Sequence, residues 1–184
     1  MPGVSFEVFT ALHIGVSLAG IGTGLVVQGA LLSGHWLPRW TAAFLLTTTL
    51  SALSGFMFPS GITPAQVVGV LTMLALLASA WALYASGLRG AWRGVFIVGA
   101  AAALYFNLFV AVVQMFQKFP SLSLLAPTQT EPAFVGTQVA LLAGFLILGR
   151  VTWRGFVSRR GEQGVGVAEI GGGDALLKAG AHRL

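Results

Sequence analysis

Five stretches of this chain are long enough to cross a bilayer and carry no charged side chain: Val8 to Leu32, Trp40 to Phe58, Ala65 to Ser86, Gly94 to Phe116 and Ala133 to Gly149. A hydrocarbon layer about 30 Å thick needs roughly 20 apolar residues of helix at about 1.5 Å each, so four of these fit comfortably and the fifth sits at the short limit. The fold expected is all-α: an integral membrane helical bundle of five transmembrane helices over residues 1–154. Charged residues make up 8% of the chain against 56% hydrophobic, a balance that leaves no room for a hidden soluble domain. The Gly-rich segment 155–184 has too few large apolar side chains to bury a core and is expected to be a disordered tail.

Charge placement orients the bundle. The first gap holds Arg39, the third Arg89 and Arg93, and the region after the last span Arg150, Arg154, Arg159 and Arg160. The opposite side receives Glu7, an uncharged gap, and Lys118 with Glu131. Because Lys and Arg collect on the cytoplasmic side, the pattern predicts an outside N-terminus and a cytoplasmic C-terminus, with Lys118 the one exception. Trp36, Trp40, Trp81, Trp92 and Trp153 all fall near the ends assigned to the cytoplasm, where an amphipathic indole prefers the interface. The basic residues thus read as topology signals rather than a nucleic-acid surface, and no nucleic-acid partner is expected. The first span is read as a retained helix, since Glu7 and no Lys or Arg precedes it.

Polar residues inside spans are expensive and therefore informative. His13, Ser17, Gly20, Gly24 and Gln28 recur every three or four residues and share one stripe of the first helix. Gly20 and Gly24 form a small-xxx-small pair that lets another backbone approach. Asn107, Ala111, Gln114 and Lys118 repeat the pattern on the fourth span, and Glu131, Gln138 and Phe145 share a face of the fifth. Counting about 1.5 Å per residue from the outer ends, His13 and Gln138 lie roughly 8 Å deep, Gln114 about 3 Å, and Asn107 near the midplane. Ser51 and Ser54 reach the same layer. If these faces converge, the outer half holds a polar pocket of His13, Asn107, Gln114 and Gln138 with Lys118 and Glu131 at its rim, and His13 faces Gln138 or Gln114. The competing reading is interhelical hydrogen-bond glue with no ligand involved, and for Lys118 and Glu131 simple pairing with lipid headgroups. The longest gap, 117–132, contains three prolines with Leu122, Leu124 and Leu125, and is expected to fold back on the bundle mouth as a lid or docking surface.

Several chemistries are disfavoured. A bis-histidine haem lacks a second imidazole at a matching position, since His35 lies at the opposite face and His182 in the tail. No span carries clustered metal ligands, and the only Asp is Asp174. With no cysteine there is neither disulfide nor thiolate site. No cofactor is identified.

The strings Gly55-Phe-Met-Phe-Pro59, Gly90-Ala-Trp-Arg93, Ala103-Leu-Tyr-Phe-Asn107, Val113-Gln-Met-Phe-Gln-Lys-Phe-Pro120 and Ala126-Pro-Thr-Gln-Thr-Glu-Pro132 resemble a family of small uncharacterised bacterial multi-pass inner-membrane proteins. The resemblance covers roughly residues 10–150 and implies a bacterial inner-membrane location without a mechanism. The functional expectation is binding or passage of a small molecule or proton through the outward polar pocket. The alternative is an accessory or structural subunit docked on a membrane-protein partner or a second copy. An enzyme is the weakest reading, because no second catalytic group lies within the spans.

Overall fold

The structure, a computed structural model, describes residues 5–58 and 63–155. Pro59 and Gly61 of the second gap lie outside the described residues. So does all of the expected tail beyond residue 155, with Arg159 and Arg160.

Helices α1 (Phe6–Leu32), α2 (Pro38–Gly55), α3 (Pro64–Ala85, closing in a π turn over Trp81–Ala85), α4 (Trp92–Lys118), a short α5 (Pro120–Leu125) and α6 (Pro132–Gly155) follow in order, and no strand occurs among the described residues. Most starts are legible in local chemistry, α4 after Ala91 being uncapped by any side chain. Ser5 accepts the Val8 amide, and Thr63 with Gln66 forms a reciprocal capping box ahead of Pro64. Pro38 and Pro120 stand at first-turn positions, where a missing N–H costs nothing. Between α3 and α4 the chain reverses through Gly87, Leu88 and Gly90 at φ of +57°, +56° and +55°, the left-handed region. Leu88 is held there by packing its side chain on the core.

Helices α1, α3, α4 and α6 are long and apolar enough to cross a membrane. Helix α2 has 18 residues, but Arg39 and a run of Thr and Ser dilute its apolar character. Its hydroxyls are largely satisfied within the helix. Thr41, Thr47 and Thr49 each donate to the carbonyl four residues back, as a hydroxyl in an apolar medium tends to do. Observed bounds exceed the expected ones by a few residues at several ends, and α6 runs to Gly155 rather than stopping at Gly149.

Helices α1 to α4 form an antiparallel ring in which α1 packs on α2, α2 on α3, α3 on α4 and α4 back on α1. Glycine makes the tight crossings. A Cβ at Gly99 would meet Ser79 Oγ and, at 2.9 Å, the Ala75 carbonyl, and one at Gly24 would meet Leu104 at 2.7 Å and Phe44 at 2.8 Å. The apolar core of Val27, Phe44, Leu45, Leu76, Ala82, Phe96, Ala100, Ala103 and Leu104 fills one half of the ring. The tryptophans gather at that same end, with Trp36 edge-on to Phe96 and Trp153 seated over Gly94. The other half, toward His13, contains Ser17, Ser51, Ser54 and Asn107 with it. Helix α6 leans on α4 alone among the contacts described, through Phe134 on Phe116, Phe145 on Tyr105 and Trp153 on Gly94.

The long 117–132 gap folds back as expected, though Leu124 and Leu125 take no part in it. Ala126 is buried and Gln129 donates to the Val113 carbonyl of α4, while Leu124 is 83% exposed and Leu125 60%.

Candidate functional site

The polar seam runs between α1 and α2, which meet antiparallel with a constant register. His13 Nδ1 lies 2.7 Å from Ser54 Oγ, Ser17 Oγ 2.6 Å from Ser51 Oγ, and Gly20 packs against Thr48. Further along, Thr23 approaches Thr47 at 3.5 Å and Gly24 meets Phe44. Asn107 of α4 closes the third side with a long 3.4 Å bond from Nδ2 to Thr48 Oγ1. The Thr23 and Thr47 hydroxyls each donate to a backbone carbonyl at 2.7 Å, so their mutual approach is a contact rather than a strong bond.

Ser17 Oγ also lies 2.7 Å from the His13 carbonyl and Ser54 Oγ 3.0 Å from the Ser51 carbonyl, so each hydroxyl has two acceptors within reach and one proton to give. Which imidazole nitrogen carries the hydrogen follows from the acceptor that Ser54 takes. Among the described residues Nε2 has no hydrogen-bond partner. The ring is held by Phe58, edge-on at 5.1 Å, and by Gly55, whose absent side chain leaves room 3.7 Å from Cε1.

His13 does not pair with Gln138 or Gln114 as expected; its partner is Ser54. The reason lies in how α4 is sided. Asn107 faces α1 and α2, whereas Phe109, two residues on and about 200° around the helix, faces α6 and accepts from Gln138 Nε2 at 3.2 Å. Gln138 and Glu131 consequently lie on the far side of α4 from His13. The α1–α4 register of Gly24 with Leu104 and Gly20 with Asn107, continued by two turns, brings Gln114 to the level of His13. Among the described residues Gln114 makes no side-chain hydrogen bond, and Lys118, one turn further, is within electrostatic reach of the imidazole. Four of the six expected site residues thus share one face, and two do not.

Glu131 has a local task. Its carboxylate accepts the Thr128 amide at 3.1 Å, the Thr128 hydroxyl at 2.8 Å and the Thr130 amide at 3.0 Å, at the start of α6. Desolvation pushes its pKa up, but the hydrogen bonds from Thr128 and the neighbouring amides outweigh it and leave the carboxyl below its ordinary range. A shallow concavity of about 270 Å³ beside this turn is lined by Phe116, Gln117, Ser123, Ala126, Pro127, Thr128 and Gln129, and includes none of the expected site residues.

Two buried polar atoms lack a partner among the described residues: Gln28 Nε2, on a side chain 3% exposed, and Gln138 Oε1, on one 9% exposed. From the sequence Gln28 is a member of the α1 stripe, read as interhelical hydrogen-bond glue and not as a site residue. Its position at the fifth point of the α1 stripe was the available signal.

No family model, no curated protein and no solved structure matches the chain.

Proposed function

We propose that the chain is a five-span protein of the bacterial inner membrane, its N-terminus outside, which binds a proton or a small polar solute at His13 through the outer end of the α1–α2–α4 seam. The observation that carries this reading is an imidazole with Nδ1 held 2.7 Å from Ser54 Oγ and Nε2 without a hydrogen-bond partner among the described residues. Nε2 is not one of the buried unpartnered atoms and His13 is half-buried, so the nitrogen stays open to take a proton or a ligand. The gathering of tryptophans at the opposite end, with Arg39, Arg89, Arg93, Arg150 and Arg154 near the same helix ends, supports that orientation. Helix α2 counts as the fifth span on length, about 27 Å at 1.5 Å per residue, with its polar face turned to α1.

The charges near His13 are few: Lys118 from α4, Glu7 about two turns back on α1, and none on the facing part of α2. Nitrogen-15 spectra of the imidazole in nanodiscs test the reading. The proposal expects a neutral imidazole that converts to imidazolium on acidification, and a changed ratio of its two tautomers in Ser54→Ala. A ring that never titrates overturns it.

The accessory-subunit reading ranks second. Gly136 and Gly144 of α6 and Gly15 and Gly22 of α1 have open space around them and would admit a partner helix. Lipid covers such faces equally well.

A further inference from the structure

We propose that the outer end of the seam is an anion site in which Lys118, the Gln114 amide and His13 hold a phosphate group, either the headgroup of an anionic lipid or a free ion. The proposal rests on the outer-site reading of His13 and names the ligand class of that site.

Helix geometry brings the three groups to one place. Asn107 faces α1 and α2; Gln114 is seven residues on and Lys118 eleven, so all three fall within about 40° of one face of α4. The antiparallel α1–α4 register, set by Gly24 with Leu104 and Gly20 with Asn107, puts Gln114 level with His13 and Lys118 one turn further. In a helix the Cα–Cβ bonds tilt toward the N-terminus. On α4 that tilt carries Lys118 back toward the level of Gln114, and on the antiparallel α1 it carries His13 toward Lys118. Lys118 is accordingly within electrostatic reach of the imidazole.

All three groups have donors to give. Among the described residues Lys118 has no ion pair and Gln114 no side-chain hydrogen bond, and His13 Nε2 is open. The ammonium offers three N–H bonds, the amide two, and the ring one at Nε2, in that tautomer or as imidazolium. Neither carboxylate at this end competes for them. Glu131 has both oxygens occupied by Thr128 and Thr130, across α4. Glu7 stands six residues before His13 on α1, about 120° around the helix from it. A cationic solute would meet Lys118 with no facing carboxylate to offset the repulsion, so the field selects an anion.

Phosphate fits the place. Lys118 is the one exception to the charge bias that orients the bundle, and a basic side chain at a helix end stands at the depth of lipid phosphates. A tetrahedral phosphate also presents several acceptor oxygens to donors arriving from two helices. Phe58 lies edge-on to His13, with Phe6 and Phe9 against it, and this apolar wall strengthens charge-assisted hydrogen bonds beside it.

The test uses full-length protein in nanodiscs and phosphate-free buffer, with nitrogen-15 signals of the Gln114 side-chain amide and the His13 ring as the readout. In one arm, discs of phosphatidylcholine alone are titrated with inorganic phosphate, against sodium chloride at matched ionic strength. In the other, phosphatidylglycerol replaces part of the phosphatidylcholine. Both signals should move saturably in at least one arm. Movement in the phosphate arm alone assigns a free ion, in the lipid arm alone a headgroup, and in both the shared phosphate chemistry. Lys118→Met should weaken the response about fivefold or more, the effect of one basic residue near a membrane surface, while Lys118→Arg keeps it. Gln114→Leu, read at His13, should weaken it too and serves as the second variant if Lys118→Met does not fold. Signals that move in neither arm, move equally with chloride, or move equally in wild type and folded Lys118→Met overturn the anion site. If His13 still titrates in that case, the outer-site reading stands without it. A ring that never titrates overturns the outer-site reading, and the site as drawn falls with it.

Discussion

Replacing Gly24 with alanine should destabilise the bundle, while the same change at Gly22, two residues away on the same helix, should not. A Cβ at Gly24 would stand 2.7 Å from Leu104 Cδ1 and 2.8 and 2.9 Å from two ring carbons of Phe44, whereas one at Gly22 meets nothing within 4 Å. Both neighbours at Gly24 are fully buried, so neither can swing out into free space. Overpacking of this kind costs about 1–3 kcal/mol. Alanine also gains up to about 1 kcal/mol of helix propensity over glycine, and that gain is common to both variants. The difference between the two therefore isolates the clash, with Gly24→Ala lower by about 1–3 kcal/mol. Reversible unfolding by sodium dodecyl sulfate from a mild detergent, followed by tryptophan fluorescence, measures it. Identical midpoints for the two variants would refute the close approach of α1 to α2 and α4.

The absence of cysteine makes single-cysteine mapping direct: Leu124→Cys should react with an impermeant maleimide added outside, and Arg89→Cys only after permeabilisation. The reverse pattern would invert the proposed topology. Glu131 links the α6 turn to pH. Its folded-state pKa is depressed, so its stabilising effect is complete above the ordinary carboxylate pKa and is lost as pH falls through the depressed value. The Thr128 and Thr130 amide shifts should accordingly change together on acidification with a midpoint below the ordinary carboxylate range, and Glu131→Gln should abolish the transition. Gln138→Leu should leave stability nearly unchanged, because it removes one 3.2 Å hydrogen bond to Phe109 and an orphaned Oε1 together. A loss above about 2 kcal/mol in the same unfolding assay would show that Oε1 has a strong partner.

The helices were legible because their punctuation is local. Pro38, Pro64 and Pro120 start helices and charges fill the gaps, and none of that depends on tertiary contacts. The stripe from His13 to Gln28 was legible too, since helical period alone sets which residues share a face. What could not be read was which neighbour occupies which face. Asn107 and Phe109 both sit at mid-height on α4, yet one faces α2 and the other α6. The period gives their angular separation, but the order of helices around α4 comes only from packing. For that reason Gln138 was expected beside His13 when it lies across α4 from it. Ser54 was noticed only as being within the right layer. Its role follows from the α1–α2 register, which the glycines at 20 and 24 set by letting Thr48 and Phe44 come close.

The central claim is that His13 is an outward-facing proton-accepting group inside a membrane bundle. The most direct test is sidedness: protein inserted in one orientation in sealed proteoliposomes, with the His13 imidazole signal followed while inner and outer pH are changed independently. The account predicts that the signal follows the pH on the side of the N-terminus and Leu124, and ignores the other. A signal that follows the arginine-side pH, or responds to neither, would contradict it.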